Sequence, residues 1–168
     1  MKFYHYTCYQ YVFPILCDGI HTSVVDRADG TLEPVVWLTA NDRNHLQKWD
    51  EGVERLLTDK ERHQYFAVNG VMPEKGAQWP NKRAVRFTVD IPSNDPKLIK
   101  WVDYATEFVD PTYAKILART GGPKQYLEWF LYQGNISPDC IKDMMWDEAA
   151  IEKFRAENSG FRPRQYAA

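Results

Sequence analysis

Lys2-Phe3-Tyr4-His5-Tyr6-Thr7 is an aromatic-rich stretch near the N-terminus, and residues 9–18 and Gly19 follow it. Aromatic residues favour extended backbone on a pleated, half-buried surface, so this stretch predicts the first β-strand. Residues 9–18 predict a short helix that ends at Gly19, because glycine tolerates the positive φ with which many helices close. We therefore expect a strand that leads directly into a helix.

The later strands follow at irregular intervals. Val35-Val36-Trp37-Leu38-Thr39 is a compact apolar run that predicts a buried strand. Residues 84–91 alternate between apolar and polar side chains, which is typical of a half-exposed strand. Further strands are expected over residues 64–68, 126–133 and 136–145, with polar turns or loops over residues 26–34 and 70–83.

The helices are indicated by apolar periodicity and by capping residues. Apolar side chains at helical spacing predict a long helix over residues 42–63, with Asn41 as its N-cap. Asp95-Pro96 and Asp110-Pro111 each place a capping side chain before a proline, which predicts two more helix starts. A last helix is expected around Ile151 and Phe154, ending at Gly160.

The order of these elements predicts an α+β domain with a mixed or mainly antiparallel β-sheet and flanking helices. A length of 168 residues favours one domain over residues 1–168. The formal net charge is −2 and no basic stripe is visible, which argues against an extended nucleic-acid footprint. No apolar stretch is long enough to span a membrane, so no membrane partner is expected.

The cysteines and histidines do not indicate a metal site. Cys8, Cys17 and Cys140 lack CxxC spacing and cannot form a closed disulfide set. We therefore expect reduced, mostly buried thiols and a cytoplasmic protein. The four histidines are not spaced like metal ligands, and the sequence lacks a Walker loop and the GxGxxG, GxSxG and HExxH motifs.

Two polar residues stand out among aromatic and aliphatic neighbours. His5 and Thr7 are two residues apart on the first predicted strand, so their side chains share one face. His5 is either a structural histidine with a partner inside the fold or a ligand for a substrate hydroxyl. Glu128 lies in Tyr126-Leu127-Glu128-Trp129-Phe130-Leu131, where it is either an exposed strand position or a functional carboxylate.

Three segments, in this order, carry a resemblance to a known family. The strand ending in His5-Tyr6-Thr7, with Ile15-Leu16-Cys17-Asp18-Gly19-Ile20 after it, resembles the start of small ADP-ribosyltransferases, in particular bacterial toxins that modify DNA bases. Val36-Trp37-Leu38-Thr39-Ala40 is similar to the second motif of rifampin-modifying ADP-ribosyltransferases. Tyr126-Leu127-Glu128-Trp129-Phe130-Leu131 looks like the strand that bears the family's glutamate.

The resemblance implies a split β-sheet fold, NAD as the substrate and a role for each matching residue. His5 would bond a hydroxyl of the adenosine ribose, the backbone of Tyr6 would pair with the nicotinamide carboxamide, and Thr7 would support that loop. Trp37 would supply a flat wall for the nicotinamide ring. Glu128 would bind the nicotinamide ribose and stabilise the positive charge that develops on it.

Two further residues complete the NAD-binding set that the resemblance implies. Thr39 belongs to the same motif as Trp37, and Arg86 is a candidate for the NAD diphosphate or, equally, for a surface ion pair. The chain departs from the family at Trp37, where tyrosine is commoner, and at Tyr126, where protein-modifying members carry Glu or Gln. The ADP-ribose acceptor, whether protein, nucleic acid or small molecule, therefore stays open.

Other interpretations remain beside an active transferase that acts as a toxin or as an effector in phage–host conflict. A relative of tRNA 2′-phosphotransferases would need basic residues that grip an RNA phosphate, which the acidic balance disfavours. An inactive module that binds NAD or ADP-ribose, or a protein-interaction domain on the same scaffold, is the main alternative. A structural protein with an aromatic interface would instead expose an apolar patch without a cleft.

Overall fold

In a computed structural model of the chain, residues 2–43, 55–69, 72–79 and 82–146 and the single positions 152 and 156 are described. They include a seven-stranded sheet, a separate pair of two-residue strands and four α-helices. The strands are β1 (Lys2–Thr7), β2 (Ser23–Asp26), β3 (Leu32–Thr39), β4 (Arg55–Leu56), β5 (Gln78–Trp79), β6 (Val85–Asp90), β7 (Leu98–Lys100), β8 (Trp129–Gln133) and β9 (Ile141–Trp146). The helices are α1 (Val12–Asp18), α2 (Asp59–Asn69), α3 (Trp101–Phe108) and α4 (Pro111–Thr120), and short 3₁₀ turns cover Tyr9–Tyr11, Gln125–Glu128 and Pro138–Cys140.

The main sheet has the strand order β7-β8-β3-β1-β6-β9, and β2 pairs with β3 outside this path. Each of the strand pairs in it is antiparallel. The prediction of an α+β fold with a mainly antiparallel sheet is therefore confirmed. Sequential strands are rarely neighbours, so most contacts of the sheet join distant parts of the chain.

The sheet opens along one edge of β3. On its other edge, β3 pairs with β8 from Val35 to Thr39. On the open edge, β2 pairs with β3 as far as Val35, and β1 meets β3 at Thr39, which lies opposite Tyr4. Trp37 lies between these two paired segments. β1 pairs with β6 along its whole length on its other edge, and its pairing with β3 is confined to Tyr4 and Thr39, so the sheet is split beside Trp37.

Two apolar clusters cover the two faces of this sheet. The face that carries Phe3 and its cross-strand neighbour Val89 packs against α1, and its buried members include Phe87, Leu38 and Ile15. The opposite face packs against α3, and its buried members include Val35, Trp101, Tyr104, Trp129 and Leu131. The first strand therefore contributes its Phe3 side to one core, while β3 and β8 contribute to both.

Several predicted elements are confirmed. The first strand has the predicted bounds, and the 3₁₀ turn and α1 together cover residues 9–18 up to Gly19. The strand predicted over residues 84–91 is β6. Asp110 caps α4 as predicted, since its carboxylate accepts hydrogen bonds from the backbone N–H groups of Thr112 (2.9 Å) and Tyr113 (3.0 Å).

The long helix predicted over residues 42–63 is wrong for residues 42–43 and 55–58 and correct for residues 59–63, while residues 44–54 lie outside the described residues. Residues 55–56 form β4, and the helix begins only at Asp59. Thr58 and Glu61 form a capping box: the Glu61 carboxylate accepts from the Thr58 backbone N–H (2.9 Å), and the Glu61 backbone N–H donates to Thr58 Oγ1 (3.3 Å). This box starts α2, so the strand predicted over residues 64–68 is wrong as well.

Several other elements also differ from the predictions made from local sequence. Asp95-Pro96 does not begin a helix: the Asp95 carboxylate accepts from the backbone N–H of Lys97 (2.9 Å) in a turn, and residues 98–100 then pair with β8. α3 starts only at Trp101. β2 and β7 were not expected, and β8 is three residues shorter than the predicted strand 126–133. The strand predicted over 136–145 is represented by β9, while most of the predicted last helix lies outside the described residues.

The cysteines differ in burial. Cys8 is buried and Cys140 is partly buried, but Cys17 is exposed at the end of α1, so the expectation of mostly buried thiols fails there. All three are free thiols. No helix in the described part of the chain has both the length and the apolar character needed to cross a bilayer.

Gly19 offers a test of how α1 joins the sheet. Its φ is +88°, and a Cβ added there would overlap the carbonyl oxygen of Ile136, which already accepts a hydrogen bond from the Ile20 N–H (2.9 Å). Gly19→Ala should lower the free energy of unfolding in urea by about 2 kcal/mol or more. Gly30→Ala is the control, since φ is +82° but no atom lies within 4 Å, and roughly 1 kcal/mol is expected there. Equal losses would contradict the close approach.

Candidate active site

His5 bridges the split in the sheet. Its Nδ1 lies 3.0 Å from the backbone carbonyl oxygen of Trp37. A carbonyl only accepts, so Nδ1 carries the proton and, in the neutral ring, Nε2 is left as an acceptor. Burial of the ring lowers the pKa of His5, although the hydrogen bond to Trp37 acts in the opposite direction. The imidazole thus satisfies a carbonyl of β3 that neither β1 nor β2 pairs with.

Trp37 belongs to a group of three tryptophans on the α3 side of the sheet. Its ring centroid lies 4.9 Å from that of Trp101 and 5.7 Å from that of Trp129, with the latter pair edge-to-face at 87°. Such contacts hold an aromatic ring in one orientation. The indole is nevertheless half-exposed, so one part of it is fixed by packing while another part faces outward.

Register places the side chains of His5 and Trp37 on opposite faces of the sheet. Tyr4 and Thr39 lie directly opposite each other, so Trp37 shares the face of Tyr4, and His5 points the other way. The split lets both reach the same small cavity of about 50 Å³. Its lining residues are Tyr4, His5, Tyr6, Trp37, Leu38, Thr39 and Trp129.

The prediction that Glu128 lies on a strand is wrong. Glu128 lies in the 3₁₀ turn that immediately precedes β8. Its side chain is exposed, and in the described part of the chain the carboxylate forms neither a hydrogen bond nor an ion pair. Its backbone carbonyl accepts from the N–H of Ala40 (2.8 Å), which joins the turn to the segment after β3. Because Glu128 lies outside the strand, the alternation of side chains between the two faces of a sheet does not determine the direction of its carboxylate.

Glu128 lines a cleft of about 400 Å³ between residues 40–43 and residues 124–128. This cleft adjoins the small cavity along the chain. Thr39 lines the cavity and the next residue, Ala40, lines the cleft; likewise Glu128 lines the cleft and the next residue, Trp129, lines the cavity. Of the predicted site residues, His5, Tyr6, Trp37 and Thr39 therefore share one cavity, and Glu128 lies in the neighbouring one. Both cavities are lined by residues at or just beyond the C-terminal end of β3.

Asn41 holds the two walls of the cleft together, and sequence reasoning assigned it only as a helix cap. Its Nδ2 donates to Gln125 Oε1 (2.8 Å), its Oδ1 accepts from the backbone N–H of Arg43 (2.9 Å) and its backbone carbonyl accepts from Tyr6 Oη (3.2 Å). Its own N–H donates to Thr39 Oγ1 (3.1 Å). All four polar groups of Asn41 are used, so the segment after β3 is fixed against the turn that bears Glu128.

Two predicted binding residues have partners within the fold. Nη1 of Arg86 donates to the carbonyl of Asp42 (2.6 Å), Nη2 contacts Sδ of Met145 (2.6 Å), and the guanidinium lies 4.8 Å above the ring of Tyr4. Burial raises the pKa of Tyr6 to about 12, even though the nearby Arg86 charge lowers it, so its phenol is neutral at pH 7. Arg86 lines neither the small cavity nor the cleft.

The remaining candidates either line neither cavity or hold a neighbouring residue in position. Thr7 is buried at the end of β1 and lines neither space. Thr39 is buried and its hydroxyl positions Asn41. Arg27, directly after β2, pairs with Glu33 (3.4 Å) and lies 4.5 Å over the ring of Phe108. Its charge is thus used on the β2–β3 hairpin.

No family model, curated protein or solved structure matches this chain. Within the described residues, histidine, cysteine, aspartate and glutamate side chains form no group of three or more that could hold a metal ion.

The lowered pKa of the half-buried His5 predicts a pH-dependent stability difference. A histidine whose folded pKa is lowered favours unfolding once the pH drops below the unfolded value near 6.5, because the unfolded chain binds the proton first. The advantage of wild type over His5→Gln in free energy of unfolding should therefore shrink as the pH falls from 7.5 to 5. Urea titrations at several pH values measure this difference, and a constant gap would contradict the lowered pKa of the imidazole.

Proposed function

We propose that this protein is an NAD-dependent ADP-ribosyltransferase, which breaks the bond between nicotinamide and ribose and transfers ADP-ribose to an acceptor. The observation that carries the proposal is the meeting of His5, Trp37 and Glu128 at one end of β3, around two adjoining cavities. The resemblance of the three segments to small ADP-ribosyltransferases supports it independently of the geometry. A cytoplasmic site of action belongs to the same proposal.

The groups in the two cavities suit a dinucleotide. The Nε2 lone pair of neutral His5 can accept a hydrogen bond from a ribose hydroxyl, since Nδ1 is committed to Trp37. The half-exposed indole of Trp37 offers a planar apolar surface for a heteroaromatic ring, and its packing on two other tryptophans keeps it oriented. Positioning of this kind lowers the entropic part of a reaction barrier.

Glu128 supplies the negative charge that the reaction needs. Breaking a glycosidic bond to nitrogen leaves positive charge on the ribose, as in glycoside hydrolysis, and a fixed carboxylate stabilises that charge. Among the described residues, no cation or hydrogen-bond donor pairs with the carboxylate of Glu128. The same carboxylate can take the proton from the attacking hydroxyl or amine as a general base.

A module that binds NAD or ADP-ribose without turnover is the second candidate. The exposure of Glu128 favours it, because a carboxylate in water stabilises a developing charge less than one in a closed site. The two functions differ in one measurable quantity. Both predict binding of ADP-ribose, but only the transferase predicts release of nicotinamide.

Glu128→Gln tests the proposal directly. The amide keeps the size and hydrogen-bonding capacity of the side chain but loses its charge, so nicotinamide release should fall by about 100-fold or more while NAD affinity changes little. Nicotinamide release and NAD binding are measured on one preparation. Glu107→Gln, an exposed carboxylate on α3 outside both cavities, is the matched control. Unchanged turnover in Glu128→Gln would refute the assignment.

Trp37 is tested by a pair of substitutions that remove similar volume. Trp37→Phe keeps a flat ring, whereas Trp37→Leu does not, so only the leucine variant should raise the KM for NAD, by roughly three- to tenfold. Near-ultraviolet circular dichroism checks that both variants remain folded. If the two variants share the wild-type KM, Trp37 serves the core alone.

The acceptor is identified by a separate experiment. NAD labelled in its adenylate part is incubated with the protein and a cell lysate, and the label is followed into protein, nucleic acid and small molecules. Glu128→Gln serves as the blank, since only label that depends on Glu128 reports transfer. The class that carries this label is the acceptor class.

A further inference from the structure

Lys124 holds an unusual backbone conformation in the loop before Glu128. Its φ is +62° and its ψ is 2°, which is the left-handed region, and among the described residues it is the non-glycine residue with a positive φ. Side chains with a Cβ are disfavoured there, and residues kept in this region concentrate at functional sites. Glycine would adopt the same turn without strain. A lysine at this position therefore suggests that its side chain is needed.

The Lys124 side chain faces the cleft of Glu128. It lines this cleft and also an adjoining cavity of about 310 Å³ beside Arg119 and Tyr126. In the described part of the chain its ammonium forms no ion pair and no hydrogen bond. Lys124 and Glu128 thus line one cleft with opposite charges that do not neutralise each other.

Arg43 adds a second positive charge to the same cleft. Its backbone N–H is bonded to Asn41, which fixes the segment, while its exposed guanidinium has no partner among the described residues. Asp42 and Glu128 are the carboxylates that line the cleft, so the two charges of each sign lie close together. An uncharged ligand would offer no partner to the two cations. A ligand with an anionic group could pair with Lys124 and Arg43, and a sugar that becomes positively charged during the reaction could be stabilised by Glu128.

We propose that Lys124 and Arg43 form an anion subsite that binds the diphosphate of a dinucleotide. The inference rests on the proposed function, in which one ribose is held at His5 and the other at Glu128. The diphosphate joins these two riboses, so it would lie between the small cavity of His5 and the adjoining cleft that Glu128, Lys124 and Arg43 line. Lys124 and Arg43 thereby take the role expected of Arg86, whose guanidinium is bound to Asp42 and Met145.

The test compares ligands that differ in their phosphates. Isothermal titration calorimetry gives the Kd of ADP-ribose and of adenosine for wild type, Lys124→Gln and Lys124→Arg. Lys124→Gln should raise the Kd for ADP-ribose by about tenfold, the scale of one charge-assisted hydrogen bond, and leave the Kd for adenosine unchanged. Lys124→Arg should restore most of the affinity. Lys115→Gln on α4 removes an equal charge outside the cleft and is the control.

A second variant separates charge from backbone conformation. Lys124→Gly relaxes the left-handed turn, so its Tm should equal or exceed that of wild type while its ADP-ribose affinity falls as in Lys124→Gln. A rise in Tm together with a loss of affinity is not expected of a residue that serves the fold alone. Affinity for ADP-ribose equal to wild type in both Lys124→Gln and Lys124→Gly would overturn the subsite.

The outcomes distinguish the subsite from the proposed function. Nicotinamide release that depends on Glu128, with ADP-ribose affinity indifferent to Lys124, overturns the subsite and leaves the transferase. Binding of ADP-ribose through Lys124 without nicotinamide release supports the subsite and overturns the transferase. If wild type binds no ADP-ribose, inorganic pyrophosphate is the probe, and the absence of Lys124-dependent binding to it overturns the subsite.

Discussion

The hydrogen bond from His5 to the carbonyl of Trp37 joins β1 and β3 beyond Tyr4 and Thr39, the position at which their backbones pair. On the edge of β3 that faces the opening, β2 pairs only as far as Val35 and β1 only at Thr39, so no backbone pairing in the described part of the chain closes the opening beside Trp37. A buried carbonyl without a donor costs free energy, and His5 supplies that donor from the side. The opening is therefore compatible with a stable fold. The same hydrogen bond orients the imidazole of His5 in it.

The second constraint is the attachment of the Glu128 turn to the end of β3. The backbone bond from Ala40 to Glu128 and the side-chain bond from Asn41 to Gln125 join segments more than 80 positions apart in the sequence. Tyr6 adds a bond from β1 to the same asparagine. The two cavities thus share one frame, and a change at Asn41 reaches His5 on one side and Glu128 on the other.

The sequence predicts the elements whose signals are local. The aromatic strand up to Thr7, the helix end at Gly19 and the Asp110 cap depend on neighbouring residues, and each is found in place. Elements that depend on distant partners were missed: β7 exists because it pairs with β8, and Glu128 leaves the strand because its turn is held by Ala40. The roles of Asn41 and Lys124 could not be recognised, since the first depends on hydrogen bonds to the distant residues Tyr6 and Gln125 and the second on one backbone angle. The convergence of His5 and Trp37 required the register of β1 against β3.

The three neighbouring tryptophans under the opening have an optical consequence. Indoles whose ring centres are 4.9 and 5.7 Å apart couple their electronic transitions, so they absorb and emit as a group. Because Trp37 also reaches the cavity, a planar guest beside it would alter the emission of the whole group. The protein thus carries its own spectroscopic reporter, and occupancy of the opening can be followed by intrinsic fluorescence without any attached dye.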